Sequence, residues 1–245
     1  MLMNYTGIIL AAGRGSRLKK KTEILPKCLV NFKGSTLLKR VVTNFIDNKI
    51  NEIYVVVGYK QNKIFLSEIK KIKNLNWKNS SIMRSLLCCR KILKKKNCIV
   101  SYSDIIYKKK IIDILKKTRG DIVLLSNNNW KKLWKLRFSN PLSDLETFKI
   151  KNNQLINIGE KPDSIKDIQG QYMGLMKITP NGWKKIQNHI STYYKDKIDN
   201  LDITNFLCTF IKNKKNKILV KKIKSPWYEI DNQKDLMIAK KNFEK

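Results

Sequence analysis

Apolar residues in this chain follow two rhythms. Short continuous runs, of the kind a strand covered on both faces needs, occur near residues 7–10, 52–59, 97–106 and 121–125. Between the first two runs, Leu37, Leu38, Val41, Val42, Phe45 and Ile46 recur at helical spacing behind a Ser35 or Thr36 cap. Strand, helix and strand in that order predict a βαβ unit with a right-handed crossover. A short strand is expected at 29–32, turned by Lys33-Gly34, and short helices around 61–70 and after Trp77. Further on, 146–150 and 154–158 flank Asn152-Asn153 as a hairpin. Helices are expected from Pro180 to about His189, from Leu201, and over 233–243, with a late strand at 217–223. The pattern is that of an α/β chain, expected as one domain over 1–245.

The first run breaks into small residues, Ala11-Ala12-Gly13-Arg14-Gly15-Ser16-Arg17. Glycines there give access to backbone conformations that a Cβ disfavours. A strand ending in such a loop exposes a cluster of N–H dipoles that holds phosphates. Arg14, Arg17 and the downstream Lys27 add positive charge. The dinucleotide fingerprint does not fit, because Leu18 stands where its third glycine belongs, and no Gly-Lys-Ser/Thr triplet exists for a Walker-type loop.

Leu10 to Leu18, followed by Pro26-Lys27, resembles the signature loop of the nucleotidyltransferases that make nucleoside-diphosphate sugars and CDP-alcohols. The resemblance implies a Rossmann-like fold: a mixed, mostly parallel sheet flanked by helices, with a small acceptor-binding β insertion at about 126–178. It implies that Gly13, Gly15, Ser16, Arg17 and Lys27 meet an NTP triphosphate, with Leu10, Ala11 and Ala12 near the base or ribose. The segment Trp77 to Leu87 is similar to one beside the base in the phosphocholine cytidylyltransferase branch, which makes Ser81 a candidate nucleotide contact; a serine-capped helix start is the other reading.

Ser101-Tyr102-Ser103-Asp104 ends a buried strand in an acid, and ligands of open α/β sheets sit outside such ends. Mg²⁺ takes one or two carboxylates plus phosphate oxygens. The resemblance gives Asp104 that role, with Ser103 beside the nucleotide, although Asp104 could instead cap the next helix. Trp227-Tyr228-Glu229-Ile230-Asp231 resembles the family's terminal motif, whose Asp is the second Mg²⁺ ligand.

On the acceptor side, Glu160-Lys161-Pro162 resembles the motif that holds an acceptor phosphate, and Tyr172 lies in the strand that closes that pocket. Trp130 and Trp134, with Arg137 nearby, are either a cation–π face for a cationic head group or simply core. Asp202 is either a contact for an acceptor amine or a helix N-terminal acid.

Charge and cysteines adjust this picture little. The net charge is +33, yet lysines occur in every segment and are not gathered on one face, so compositional bias is preferred to nucleic-acid binding. The charge should still concentrate anionic substrates. Five cysteines with no Cys-x-x-Cys pair and a single histidine argue against zinc and for a reduced, cytoplasmic setting. His189 is expected at the surface. No run is long enough for a membrane span. The expectation is an enzyme that uses Mg²⁺ to transfer a nucleotide from an NTP, CTP favoured, to a small phosphate or phosphonate acceptor for surface polysaccharide, with a sugar 1-phosphate as the alternative acceptor. A homodimer is compatible with it.

Overall fold

The computed structural model describes residues 4–195 and 197–243. In chain order the strands are β1 (Tyr5–Ala11), β2 (Asn31–Phe32), β3 (Ser35–Thr36), β4 (Ile53–Val57), β5 (Ile69–Lys73), β6 (Asn97–Tyr102), β7 (Ile105–Tyr107), β8 (Ile122–Asn127), β9 (Phe148–Lys151), β10 (Gln154–Ile158), β11 (Gln171–Ile178), β12 (Leu219–Ile223) and β13 (Trp227–Glu229). The helices are α1 (Leu37–Asp47), α2 (Ile82–Cys88), α3 (Arg90–Leu93), α4 (Lys110–Lys117), α5 (Trp130–Arg137), α6 (Pro180–Tyr193), α7 (Ile203–Lys212) and α8 (Gln233–Asn242).

Nine strands form one mixed sheet in the order β5-β4-β1-β6-β11-β8-β12-β10-β9. β1 pairs in parallel with β4 and β6, and β12 with β8; β11 and β10 run against their neighbours. Period-two alternation in β1 sends Ile9 and Ala11 to one face and Ile8 and Leu10 to the other. The first face is covered by Leu38, Val41, Val42 and Phe45 of α1, with α4 and α5. The second is covered by α2, α6 and α7 through Met83, Leu86, Trp183, Phe206 and Phe210. A helix layer on each face leaves the carboxyl ends of β1 and β6 as the open edge.

The predicted βαβ unit is present: Thr36 Oγ1 accepts from Lys39 N at 3.1 Å and starts α1. The hairpin at Asn152-Asn153 is present, both residues having positive φ. The helix expected at 61–70 is not formed. A single 3₁₀ turn at Gln61–Lys63 leads into β5, an edge strand paired with β4. Ile69 and Ile72 sit three apart, a helical interval, but each is only half-buried at the sheet edge, so their spacing carries little weight against the pairing. His189 is also corrected: it is 5% exposed, with Tyr193, Tyr194, Phe206 and Phe210 around it.

A third, smaller core bears on the site. Leu18, Val30, Phe32 and Leu37 from the first part of the chain pack with Ile106, Ile230, Leu236, Ala239 and Phe243. It fastens the glycine loop to the β13–α8 corner. Among the described residues, no helix is long and apolar enough to cross a membrane, and all five cysteines are free thiols.

Candidate active site

The two-stranded pairing of β7 with β13 builds the centre of the site. It matches Ile105 with Glu229 in antiparallel register, and Ile230 N donates to Asp104 O at 2.9 Å. Asp104, just before β7, and Asp231, just after β13, therefore lie side by side although they are far apart in sequence.

Lys27 fills the space between them. Its Nζ donates to Asp104 Oδ2 at 2.5 Å and to Asp231 Oδ1 at 2.9 Å. Burial disfavours the ammonium, but the Asp104 and Asp231 charges outweigh it and raise the Lys27 pKa above the ordinary lysine value. Arg17, from an exposed side chain, also donates to Asp231 Oδ1 at 2.8 Å. Burial pushes Asp231 up, yet Lys27, Arg17 and Arg137 together hold it below the usual carboxylate range.

Gly15 makes room for Lys27. Its φ is 73°, and a Cβ built on it would lie 2.6 Å from Lys27 Cβ and 2.7 Å from Lys27 Cδ. Both the backbone conformation and the close approach call for glycine. Gly13 differs from the expectation: its φ is not in the left-handed region, and nothing lies within 4 Å of where a Cβ would be. Leu10, Ala11 and Ala12 are buried at the end of β1, with Ala12 O accepting from Tyr59 N at 2.9 Å; Ser16 is exposed. Ser103 is buried next to Asp104.

Behind Asp231 lies a network that sequence reading did not assemble. Arg137 donates through Nη2 to Asp231 Oδ2 at 3.1 Å and through Nε to Asp235 Oδ1 at 2.8 Å. Asp235 Oδ2 also accepts from the backbone N–H of Asp231 and Asn232, and Asn232 caps α8 in return. Glu229 stands 3.8 Å from Arg137; burial, then the charges of Asp231 and Asp104, push its carboxyl up to about 8. The Asn-x-x-Asp spacing at 232–235 was a capping signal for Asp235, but the link to Arg137 had no local signature.

Arg137 was expected at the acceptor; its guanidinium is instead buried, 4.9 Å from the Trp134 ring centroid and 5.2 Å from that of Phe138. The cation–π reading of Trp130 and Trp134 gives way to the core reading. Trp130 is 2% exposed, Trp134 is 3% exposed and stacks on Trp227. Ser81 stands at the N-cap position of α2 but makes no side-chain cap bond; its hydroxyl donates to Leu201 O and its N–H to Asp199 O, so both groups tie α2 to the 198–201 segment.

The remaining acceptor candidates lie just past β10, on β11 and at the start of α7. Glu160 and Lys161 are exposed beyond β10, Glu160 accepting from Asn157 Nδ2 at 2.7 Å. Asp202 caps α7, accepting from Asn205 N at 2.8 Å, and Thr204 Oγ1 bridges Asp202 to Glu146. Tyr172 meets Tyr102 edge-on at 5.9 Å, and its hydroxyl is buried without a hydrogen-bond partner among the described residues. Gly174, at φ 70° in the β11 irregularity, lets the Tyr102 ring approach to 2.8 Å from where a Cβ would be.

Asp104 Oδ1 is buried and has no hydrogen-bond partner among the described residues. A buried carboxylate oxygen left over, beside a second carboxylate, is a hard-donor pair that suits Mg²⁺. No cluster of three or more metal-binding side chains occurs among the described residues, so a cation here would complete its shell from phosphates or water.

Residues 7–148 match the family model for the MobA-like NTP transferase domain. The chain is 30% identical over 248 residues to the CTP:phosphoglutamine cytidylyltransferase of Campylobacter jejuni, covering 94% of this chain and 97% of that protein. Solved structures share the fold, among them two transferases. The CTP:phosphocholine cytidylyltransferase of Streptococcus pneumoniae aligns with a TM-score of 0.73 at 19% identity, over 98% of this chain and 99% of that one. The inositol-1-phosphate CTP transferase of T. maritima aligns with a TM-score of 0.74 at 17% identity, over 99% and 98%.

Proposed function

Since this chain belongs to the MobA-like NTP transferase family, we propose that it is a CTP-dependent cytidylyltransferase, moving CMP onto a small phosphate or phosphonate acceptor with release of pyrophosphate. The observation that carries this reading is the meeting of Lys27, Arg17, Asp104 and Asp231 beside the glycine loop. Cations and carboxylates packed against a phosphate cradle are what phosphoryl chemistry asks of a protein, since positioning and charge stabilisation supply most of the rate. The similarity to CTP:phosphoglutamine cytidylyltransferase supports both CTP and a non-sugar acceptor.

In this reading an acceptor oxygen attacks the α-phosphorus in line and pyrophosphate leaves. Backbone groups from Gly13 to Ser16 wrap the triphosphate, with Ala11 and Ala12 beside the base or ribose. Lys27 and Arg17 neutralise the leaving pyrophosphate. Asp104 and Asp231 would hold Mg²⁺, which supplies charge neutralisation at the reacting phosphates when bound. Asp202 and Glu146, bridged by Thr204, offer negative charge for an amino group on the acceptor, and Lys161 meets an acceptor phosphate. The free thiols support a reducing, cytoplasmic setting.

The exposed Glu160-Lys161 pair next to the hairpin favours a second reading, a sugar 1-phosphate acceptor. Pyrophosphate release with Mg²⁺ separates the two, testing CTP, UTP, dTTP, GTP and ATP against phosphoglutamine, phosphocholine, 2-aminoethylphosphonate and several sugar 1-phosphates. Turnover with CTP and a non-sugar phosphate is expected. Turnover with sugar 1-phosphates alone would replace this reading with the second.

A further inference from the structure

Lys27 occupies the gap between the carboxylates of Asp104 and Asp231. Its Nζ touches an oxygen of each, and its side chain is only 12% exposed. The other oxygen of Asp231 is committed to Arg137, and the other oxygen of Asp104 is buried without a partner. The carboxylate pair thus has one shared opening, and the Lys27 ammonium is in it, while the exposed Arg17 also donates to Asp231 Oδ1 at 2.8 Å but does not reach Asp104. The stem of Lys27 lies against Gly15 in the glycine loop, so the same side chain borders both the carboxylates and the phosphate cradle.

We propose that Lys27 is a resident counter-ion of the carboxylate pair, which a divalent cation must displace before it can join Asp104 to Asp231. Two cations in contact with the same oxygens repel each other strongly in a site of lowered dielectric. The displaced ammonium needs a new anionic partner, and the triphosphate in the adjoining loop provides one. Metal and nucleotide therefore bind as a coupled pair, each raising the affinity of the other by the same factor. Metal alone binds poorly because it must expel Lys27 without compensation. Before metal binds, Lys27 keeps the two carboxylates paired, so they are not left as unmatched buried charge. This inference rests on the reading of Asp104 and Asp231 as the Mg²⁺ ligands.

The test uses Mn²⁺ as the probe, titrated by electron paramagnetic resonance into wild type and Lys27→Met, without nucleotide and with α,β-methylene-CTP. Lys27→Met is expected to bind Mn²⁺ roughly tenfold or more tightly than wild type in the absence of nucleotide. Adding Asp104→Asn to Lys27→Met should abolish that gain. Equal Mn²⁺ affinity of wild type and Lys27→Met, or a gain that survives Asp104→Asn, would overturn the inference; Mn²⁺ binding by wild type with nucleotide would still stand for the metal reading. No Mn²⁺ binding by either protein under any condition would overturn the metal reading itself. A wild-type measurement covers the case in which Lys27→Met does not fold. Reductive methylation of Lys27, followed by mass spectrometry, should accelerate when saturating Mn²⁺ is added without nucleotide, and an unchanged rate would overturn the proposal.

Discussion

Arg137 holds Asp231 from behind. One Nη donates to Asp231 Oδ2 at 3.1 Å while Nε donates to Asp235 Oδ1 at 2.8 Å, from a guanidinium side chain 3% exposed. Asp231 is left with Oδ1 turned toward Lys27 and Arg17. Removing a buried cation strands its carboxylates, so Arg137→Met is expected to lose about 3–5 kcal/mol in urea unfolding. Arg137→Lys keeps the charge but not the fork. It should fold and turn over more slowly, and wild-type kinetics in that variant would show that the fork does not orient Asp231.

Asp104→Asn preserves shape and removes charge. It is expected to fold like wild type by circular dichroism and to lose turnover by roughly 10²-fold or more, the scale of losing one well-placed electrostatic contact. Full activity would remove Asp104 from the reaction.

Gly15→Ala tests the seat of Lys27. The positive φ alone costs about 1–2 kcal/mol, and the new methyl would fall within 2.6 Å of Lys27 Cβ. The expected result is a folded protein with sharply reduced kcat, whereas Gly13→Ala, which meets nothing within 4 Å, should retain its stability. Similar activity loss in both would mean that the phosphates, rather than Lys27, demand the small residues.

Trp130→Ala should behave as a core truncation, with a loss of about 3–5 kcal/mol. An acceptor KM raised in a variant of undiminished stability would restore the head-group role to this side chain.

His189 supplies a pH signature. Burial lowers its pKa from the ordinary 6.5, so the folded state favours the neutral ring while the unfolded chain protonates first. Its contribution to stability is complete above 6.5 and is lost as pH falls through the lowered value. Thermal unfolding of wild type should weaken below about pH 6.5 more steeply than that of His189→Gln. Parallel curves would show that another group governs the acid limb.

Much of the fold could be read from β1, α1 and β4, where apolar runs and helical spacing agree with the pairing that forms. The glycine loop, Lys27, Asp104 and Asp231 were legible because each sits in a short motif. Arg137 and Asp235 were not, because their meeting depends on α5 and α8 crossing near the glycine loop, a tertiary event with no local period. β5 was misread since an edge strand buries only half of each apolar side chain. His189 was misread because nearby lysines suggest a surface helix, yet Lys184 is exposed and Lys185 pairs with Asp121, while the His189 ring is enclosed by Tyr193, Tyr194, Phe206 and Phe210. Trp130 and Trp134 could not be assigned from composition, as a buried indole and a ligand-facing one are the same residue until packing decides.

The β7–β13 pairing also orders events in time. Lys27 and Asp104 leave the ribosome long before residues 227–243, and until that segment arrives Asp104 lacks the partner strand that sets Asp231 beside it. The small core around Leu18 and Phe32 is likewise missing Ile230, Leu236, Ala239 and Phe243. A nascent chain halted before Trp227 lacks Asp231 and the strand that sets it beside Asp104. Residues 227–243 therefore close both the carboxylate pair and the small core beneath the glycine loop.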